Sequence, residues 1–75
     1  MGKRLADGTW QDSCLAKIKP EEPIFVLRAQ DKLAPALVED WADRAATHGC
    51  SAEKVAEART TAAAMRDWPT KKYPD

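Results

Sequence analysis

The chain has little of what active-site chemistry requires. It contains one histidine and two cysteines in 75 residues, and the cysteines, Cys14 and Cys50, belong to no CxxC pair. Structural zinc takes four ligands, and catalytic zinc takes three plus an open position. His48, Cys50 and Cys14 together fall one ligand short of the first and are badly spaced for both, so no metal and no cofactor are expected. Nucleophilic catalysis would have to place His48 beside Cys14, Cys50 or Ser51. Sequence neighbours around a glycine turn rarely present that geometry, and nothing here supplies an oxyanion hole. No catalytic residue is assigned, and the expectation is a protein that is not an enzyme.

Long apolar runs are missing as well. The longest, Ile24 to Leu27, has four residues, against the roughly 20 of a membrane-spanning helix and the apolar core of a secretory signal. The Met-Gly start is followed by Ala6 where the myristoylation pattern needs Ser or Thr. A disulfide-dependent small domain usually carries four or more cysteines, so Cys14 and Cys50 are read as reduced thiols. These absences predict a cytoplasmic protein with no membrane partner.

Net charge is absent too: 12 basic residues balance 12 acidic ones. No global field therefore draws in nucleic acid or an anionic membrane. The distribution is uneven, with residues 1–20 at +2, residues 21–50 at −3 and residues 51–75 at +1. A chain of this length is one small domain that buries only about 60% of its unfolded surface. Its stability is on the order of 4–11 kcal/mol, which leaves little room for a strained active site and favours a binding role.

What the chain does have is helical punctuation in its second half. Pro35 suits the first turn of a helix. Leu37, Val38, Trp41, Ala42 and Ala45 then recur at helical spacing, with Glu39, Asp40, Asp43 and Arg44 expected on the opposite side. Asp40 and Arg44, four apart, can pair. His48 in the last turn complements the helix dipole, and Gly49 fits the left-handed position after it. Ser51 caps a second helix whose Val55, Ala58, Ala62 and Met65 follow the spacing of a side-by-side helix seam. Trp68-Pro69 ends it. The expected core is Trp41, Leu37, Val55 and Met65, with Trp10 and Trp68 as further anchors.

The first half is less regular. Residues 1–8 read as peripheral. Thr9 is then the expected cap of a short helix on which Trp10, Cys14 and Ile18 recur every four residues, with a strand from Cys14 to Ile18 as the alternative. Pro20-Glu21-Glu22-Pro23 reads as a turn. Ile24-Phe25-Val26-Leu27 is the single β-rich run, with no convincing second strand to pair with. It either pairs weakly with the N-terminal segment, fills the core as an extended stretch, or pairs with another copy or another protein.

The predicted fold is mainly α, α+β at most, in one domain over 1–75. It has a short N-terminal helix, one extended segment or short strand near 24–28, and a C-terminal antiparallel helical hairpin at about 35–48 and 52–67. Residues 1–8 and 70–75 are expected to be flexible or peripheral.

Three surfaces are candidates for function. Glu39, Asp40 and Asp43, with Glu21 and Glu22 upstream, form an acidic set that is either a solvated face or a surface for a basic groove on a partner. Exposed ion pairs are individually weak, so several would have to act together. Lys71, Lys72 and Tyr73, with Trp68, form a basic and aromatic tail that either stacks on bases or folds back over the helix pair. The basic ends, Lys3 and Arg4 with Lys71 and Lys72, are the corresponding alternative for a small nucleic-acid-binding module. Self-association through 24–27 is the remaining alternative, as in a structural or assembly protein. Nucleic acid is not expected as the primary partner.

The stretch Pro23-Ile24-Phe25-Val26-Leu27-Arg28-Ala29-Gln30-Asp31 with Leu33-Ala34-Pro35, followed by Trp41-Ala42, Trp68-Pro69 and Lys72-Tyr73-Pro74-Asp75, resembles small proteins of phages and prophages. Anti-CRISPR proteins are among these. The resemblance implies a small inhibitor that binds a host protein complex, such as a CRISPR interference complex, by occluding a nucleic-acid-binding or nuclease-recruitment surface. It brings no family active residues.

Overall fold

The computed structural model describes residues 2–74. Residues 1 and 75, at the outer ends of the two segments expected to be peripheral, lie outside the described residues. The element order is β1 (Lys3–Arg4), β2 (Trp10–Gln11), a 3-10 helix (Ser13–Lys17), α1 (Ala34–Thr47) and α2 (Ala52–Asp67). The fold is mainly helical, a packed hairpin of α1 and α2 with a two-stranded antiparallel sheet near the N-terminus.

The hairpin forms where its punctuation places it. Pro35 lies in the first turn of α1, where its missing N–H costs nothing. Asp31 prepares the entry: its carboxylate accepts from the Leu33 N–H at 2.8 Å, and its carbonyl accepts from the Ala34 N–H at 3.1 Å. At the other end Gly49 takes φ +77. The Cys50 N–H donates to the Ala45 carbonyl at 3.0 Å, and the Gly49 N–H donates to the Ala46 carbonyl at 3.1 Å. That pair of bonds is the Schellman closure, which satisfies carbonyls a helix end otherwise leaves open. Ser51 then accepts from the Lys54 N–H at 3.2 Å to start α2.

The core differs from the expected one. Ala34, Ala42, Ala58 and Ala62 are fully buried, and Ala45 and Val55 nearly so, with Val38 packed against them. Leu37 and Trp41 are about half exposed instead. Alanine at the seam lets two helix backbones approach closely, and that same approach leaves no space for a Trp or Leu between them. The larger side chains turn to the flank of α1. Of the four expected core residues, Val55 is buried and Met65 is half-buried.

The N-terminal segment also departs from its periodicity. Trp10 belongs to β2, paired opposite Arg4, with Lys3 opposite Gln11. The turn between the strands carries Asp7 and Gly8, and Gly8 has φ +90. Thr9 caps no helix: its N–H and hydroxyl both donate to Asp7 Oδ1, at 2.9 and 2.7 Å. Asp12 is the cap instead, accepting from the Cys14 N–H at 2.9 Å, and the short helix that follows is of 3-10 type.

Lys19 to Glu22 make the expected turn, closed by the Glu22 N–H donating to the Lys19 carbonyl at 3.1 Å. Pro20 occupies its second position and Glu21 its third, with φ +63. That placement matches a type II turn, whose third position favours glycine, so Glu21 sits in a strained conformation. Residues 22–28 then run without helix, turn, bend or bridge.

Candidate interaction surfaces

The acidic set on α1 is not unopposed. Glu39 is gripped by Arg66 of α2 through two parallel bonds, Nε to Oε1 at 2.9 Å and Nη2 to Oε2 at 2.5 Å. Asp43 accepts from Arg59 Nη1 at 2.8 Å, and Asp40 from Arg44 Nε at 2.9 Å. Glu39 and Asp43 thus lie on the flank beside α2 rather than on the side opposite the seam. Arginine matches each carboxylate one to one: Glu39 and Asp43 make a charge zipper between the helices, and Asp40 pairs within α1. Bidentate arginine–carboxylate geometry is the strong form of such a contact. The Arg66 bonds hold the Glu39 pKa below its ordinary value, and Glu39 in turn raises that of Arg66. Glu21 and Glu22 lie in the turn before residue 24, remote in sequence from this zipper. Glu22 Oε1 accepts from the Lys19 N–H at 3.2 Å.

The tail folds back, held by its backbone, by one lysine and by a contact between Tyr73 and Lys32. The Lys32 N–H donates to the Lys72 carbonyl at 2.9 Å, and the Lys72 N–H to the Gln30 carbonyl at 2.8 Å, making a parallel bridge between Asp31 and Lys72. Lys71 Nζ donates to the Ala29 carbonyl at 3.0 Å and to the Met65 carbonyl in the last turn of α2. A cation there satisfies carbonyls at the negative end of the helix dipole. Tyr73 lies beneath Lys32 Nζ at 4.8 Å from the ring centre. Trp68 and Tyr73 both remain exposed.

At the other basic end, Arg4 Nε donates to the Gly8 carbonyl at 3.2 Å and its guanidinium lies over the Trp10 ring. Arg4 and Lys71, two of the four basic side chains proposed for nucleic acid, are thus engaged internally.

His48 closes α1 with its ring Nδ1 donating to the Arg44 carbonyl at 2.9 Å. Cys14 and Cys50 are both exposed and free, and Cys14 Sγ stands 4.0 Å from Lys54 Nζ. Among the described residues no group of three or more His, Cys, Asp and Glu could hold a metal ion. No helix there is long and apolar enough to cross a membrane.

The most distinctive surface takes in Leu37 and Trp41, two residues expected in the core, together with Leu33. Leu33 at the N-cap of α1 and Leu37 and Trp41 within it are spaced by four, so they form one ridge from the start of the helix, and each is about half exposed. The signal was present as the four-residue spacing, but it was merged with the Val38–Ala42–Ala45 stripe beside it. Residues 24–26 add a second exposed apolar stretch.

Compared with protein-family models, curated proteins and solved structures, the chain matches none of them.

Proposed function

We propose that the chain is a small binding module that engages a protein partner through the Leu33–Leu37–Trp41 ridge of α1. The observation that supports this reading is where the apolar side chains lie. The buried core is alanine and valine, while Leu33, Leu37 and Trp41 stand in line on the surface. Anchors at i, i+4 and i+8 are the pattern by which one helix fills an apolar groove. Tryptophan is the residue type most enriched among binding hot spots.

The partner proposed is a host protein complex, with a CRISPR interference complex as the specific candidate. That choice rests on the resemblance to small phage and prophage proteins and makes this chain an inhibitor in the cytoplasm of an infected bacterium. Occlusion of a nucleic-acid-binding or nuclease-recruitment surface is the proposed mechanism. The charge zipper shifts the proposed contact from the acidic trio to the apolar ridge, because Glu39, Asp40 and Asp43 already have arginine partners.

A plaque assay on a host immune through CRISPR tests it. Expression of the chain should restore plaques, and Trp41→Ala with Leu37→Ala should abolish that effect while circular dichroism keeps its helical signal. No restoration by the parent chain would remove the anti-CRISPR reading. Restoration unchanged in the double variant would remove the ridge as the contact.

A further inference from the structure

Residues 24–26 carry a different kind of surface from the helical ridge. Phe25 is 85% exposed, Val26 70% and Ile24 57%. Successive side chains in a strand-like run point to opposite sides, so both faces of this stretch are open to solvent. Among the described residues, Ile24, Phe25 and Val26 make no backbone hydrogen bond. Three consecutive β-favouring residues with free donors and acceptors form an edge ready for strand pairing.

We propose that a second copy of this chain occupies that edge, in antiparallel pairing centred on Phe25. The charges flanking the stretch favour self-pairing. With Phe25 opposite Phe25 of the second copy, Glu22 of each copy falls opposite Arg28 of the other, so a two-fold axis generates two complementary pairs. Among the described residues neither side chain is spent on an ion pair: Glu22 accepts from the Lys19 N–H, and Arg28 has no side-chain partner there.

Pro23 selects the hydrogen-bonding phase. Opposed residues in an antiparallel ladder alternate between bonded and non-bonded pairs. If Phe25 were a bonded pair, Pro23 opposite Leu27 would be one too, and Pro23 has no N–H to give. Phe25 is therefore the non-bonded pair, the closer-spaced kind, which brings the two rings side by side. Ile24 and Val26 exchange bonds with Val26 and Ile24 of the second copy, four in all. The ladder stops at Glu22 and Arg28, whose N–H and carbonyl respectively are used within the chain.

The interface is small against the roughly 800 Å² per partner of a standard one, so the dimer is weak and governed by concentration. It uses residues separate from the α1 ridge and stands or falls independently of the partner proposed above.

Sedimentation equilibrium of the whole chain, from micromolar to millimolar, tests it. The weight-average mass should rise from the 8.3 kDa of one chain toward twice that value. Phe25→Asp should hold it at the lower value with circular dichroism unchanged. Glu22→Arg and Arg28→Glu should each weaken association at least about tenfold, because each puts like charges opposite one another. An equimolar mixture of those two variants should recover it. A parent chain that stays monomeric throughout, or charge variants that associate as well as the parent, would overturn the proposal. So would a mixture that shows no recovery.

Discussion

Arg66 of α2 holds Glu39 of α1 with both arms of its guanidinium, at 2.9 and 2.5 Å, across the open edge of the helical hairpin. Arg59 and Asp43 repeat the contact nearer the turn at 2.8 Å. The two pairs flank an alanine seam that offers little apolar area of its own. Interhelical charge contacts thus accompany a narrow core on one edge of the hairpin.

Acid should weaken this contact with a definite sign. The folded-state pKa of Glu39 lies below its ordinary value of 4.5, chiefly through the Arg66 hydrogen bonds. Its contribution is fully present above that ordinary value and is lost as pH falls through the depressed one. Thermal melts of the parent and of Glu39→Gln should therefore differ by a constant amount near neutrality, and the difference should shrink as pH falls below that ordinary value. Because the pair is partly exposed, added salt should also shrink the difference.

The seam makes a sharper prediction. Ala58 and Ala62 have no exposed surface, so Ala58→Leu must push the helices apart. The expected cost is about 1–3 kcal/mol, and each kcal/mol lowers Tm by about 4–8 °C in a chain of this size. Ala63→Leu on the exposed side of α2 should stay within about 0.5 kcal/mol of the parent. Equal effects at the two positions would mean that Ala58 does not lie in a tight seam.

Lys71 should matter to the tail more than to the helices. Lys71→Met removes the donor that joins the Ala29 and Met65 carbonyls. Amide exchange at Lys32 and Lys72, whose N–H groups close the bridge between the tail and residues 30–32, should accelerate. The amides inside α1 should be unaffected. Protection at Lys32 and Lys72 equal to the parent would show that the bridge does not depend on Lys71.

The hairpin was legible in the sequence because Pro35, Gly49 and Ser51 act locally, each through its own backbone geometry. The α2 side of the core was legible too, since Val55, Ala58 and Ala62 follow the seam spacing and are buried; the α1 side was not, because helical spacing identifies an apolar stripe without saying which of two adjacent stripes meets the partner helix. Leu37 and Trp41 lie on one and Ala42 and Ala45 on the other, and size favoured the wrong one. At the N-terminus, the four-residue spacing of Trp10, Cys14 and Ile18 suggested a helix. The Asp7-Gly8 pair, a hairpin signal in its own right, overrode it. The arginines that neutralise Glu39 and Asp43 lie 27 and 16 positions further along the chain, and the periodicity of a single helix offers no means of pairing them.

The three tryptophans lie at the surface of this protein and not in its alanine and valine core. Intrinsic fluorescence tests this placement directly, since Trp10 is 63% exposed, Trp68 53% and Trp41 48%. In dilute native protein the emission maximum should lie close to that of the urea-unfolded chain, and acrylamide should quench both nearly alike. A native spectrum strongly shifted to the blue and shielded from quencher would place the tryptophans in a core and contradict the account.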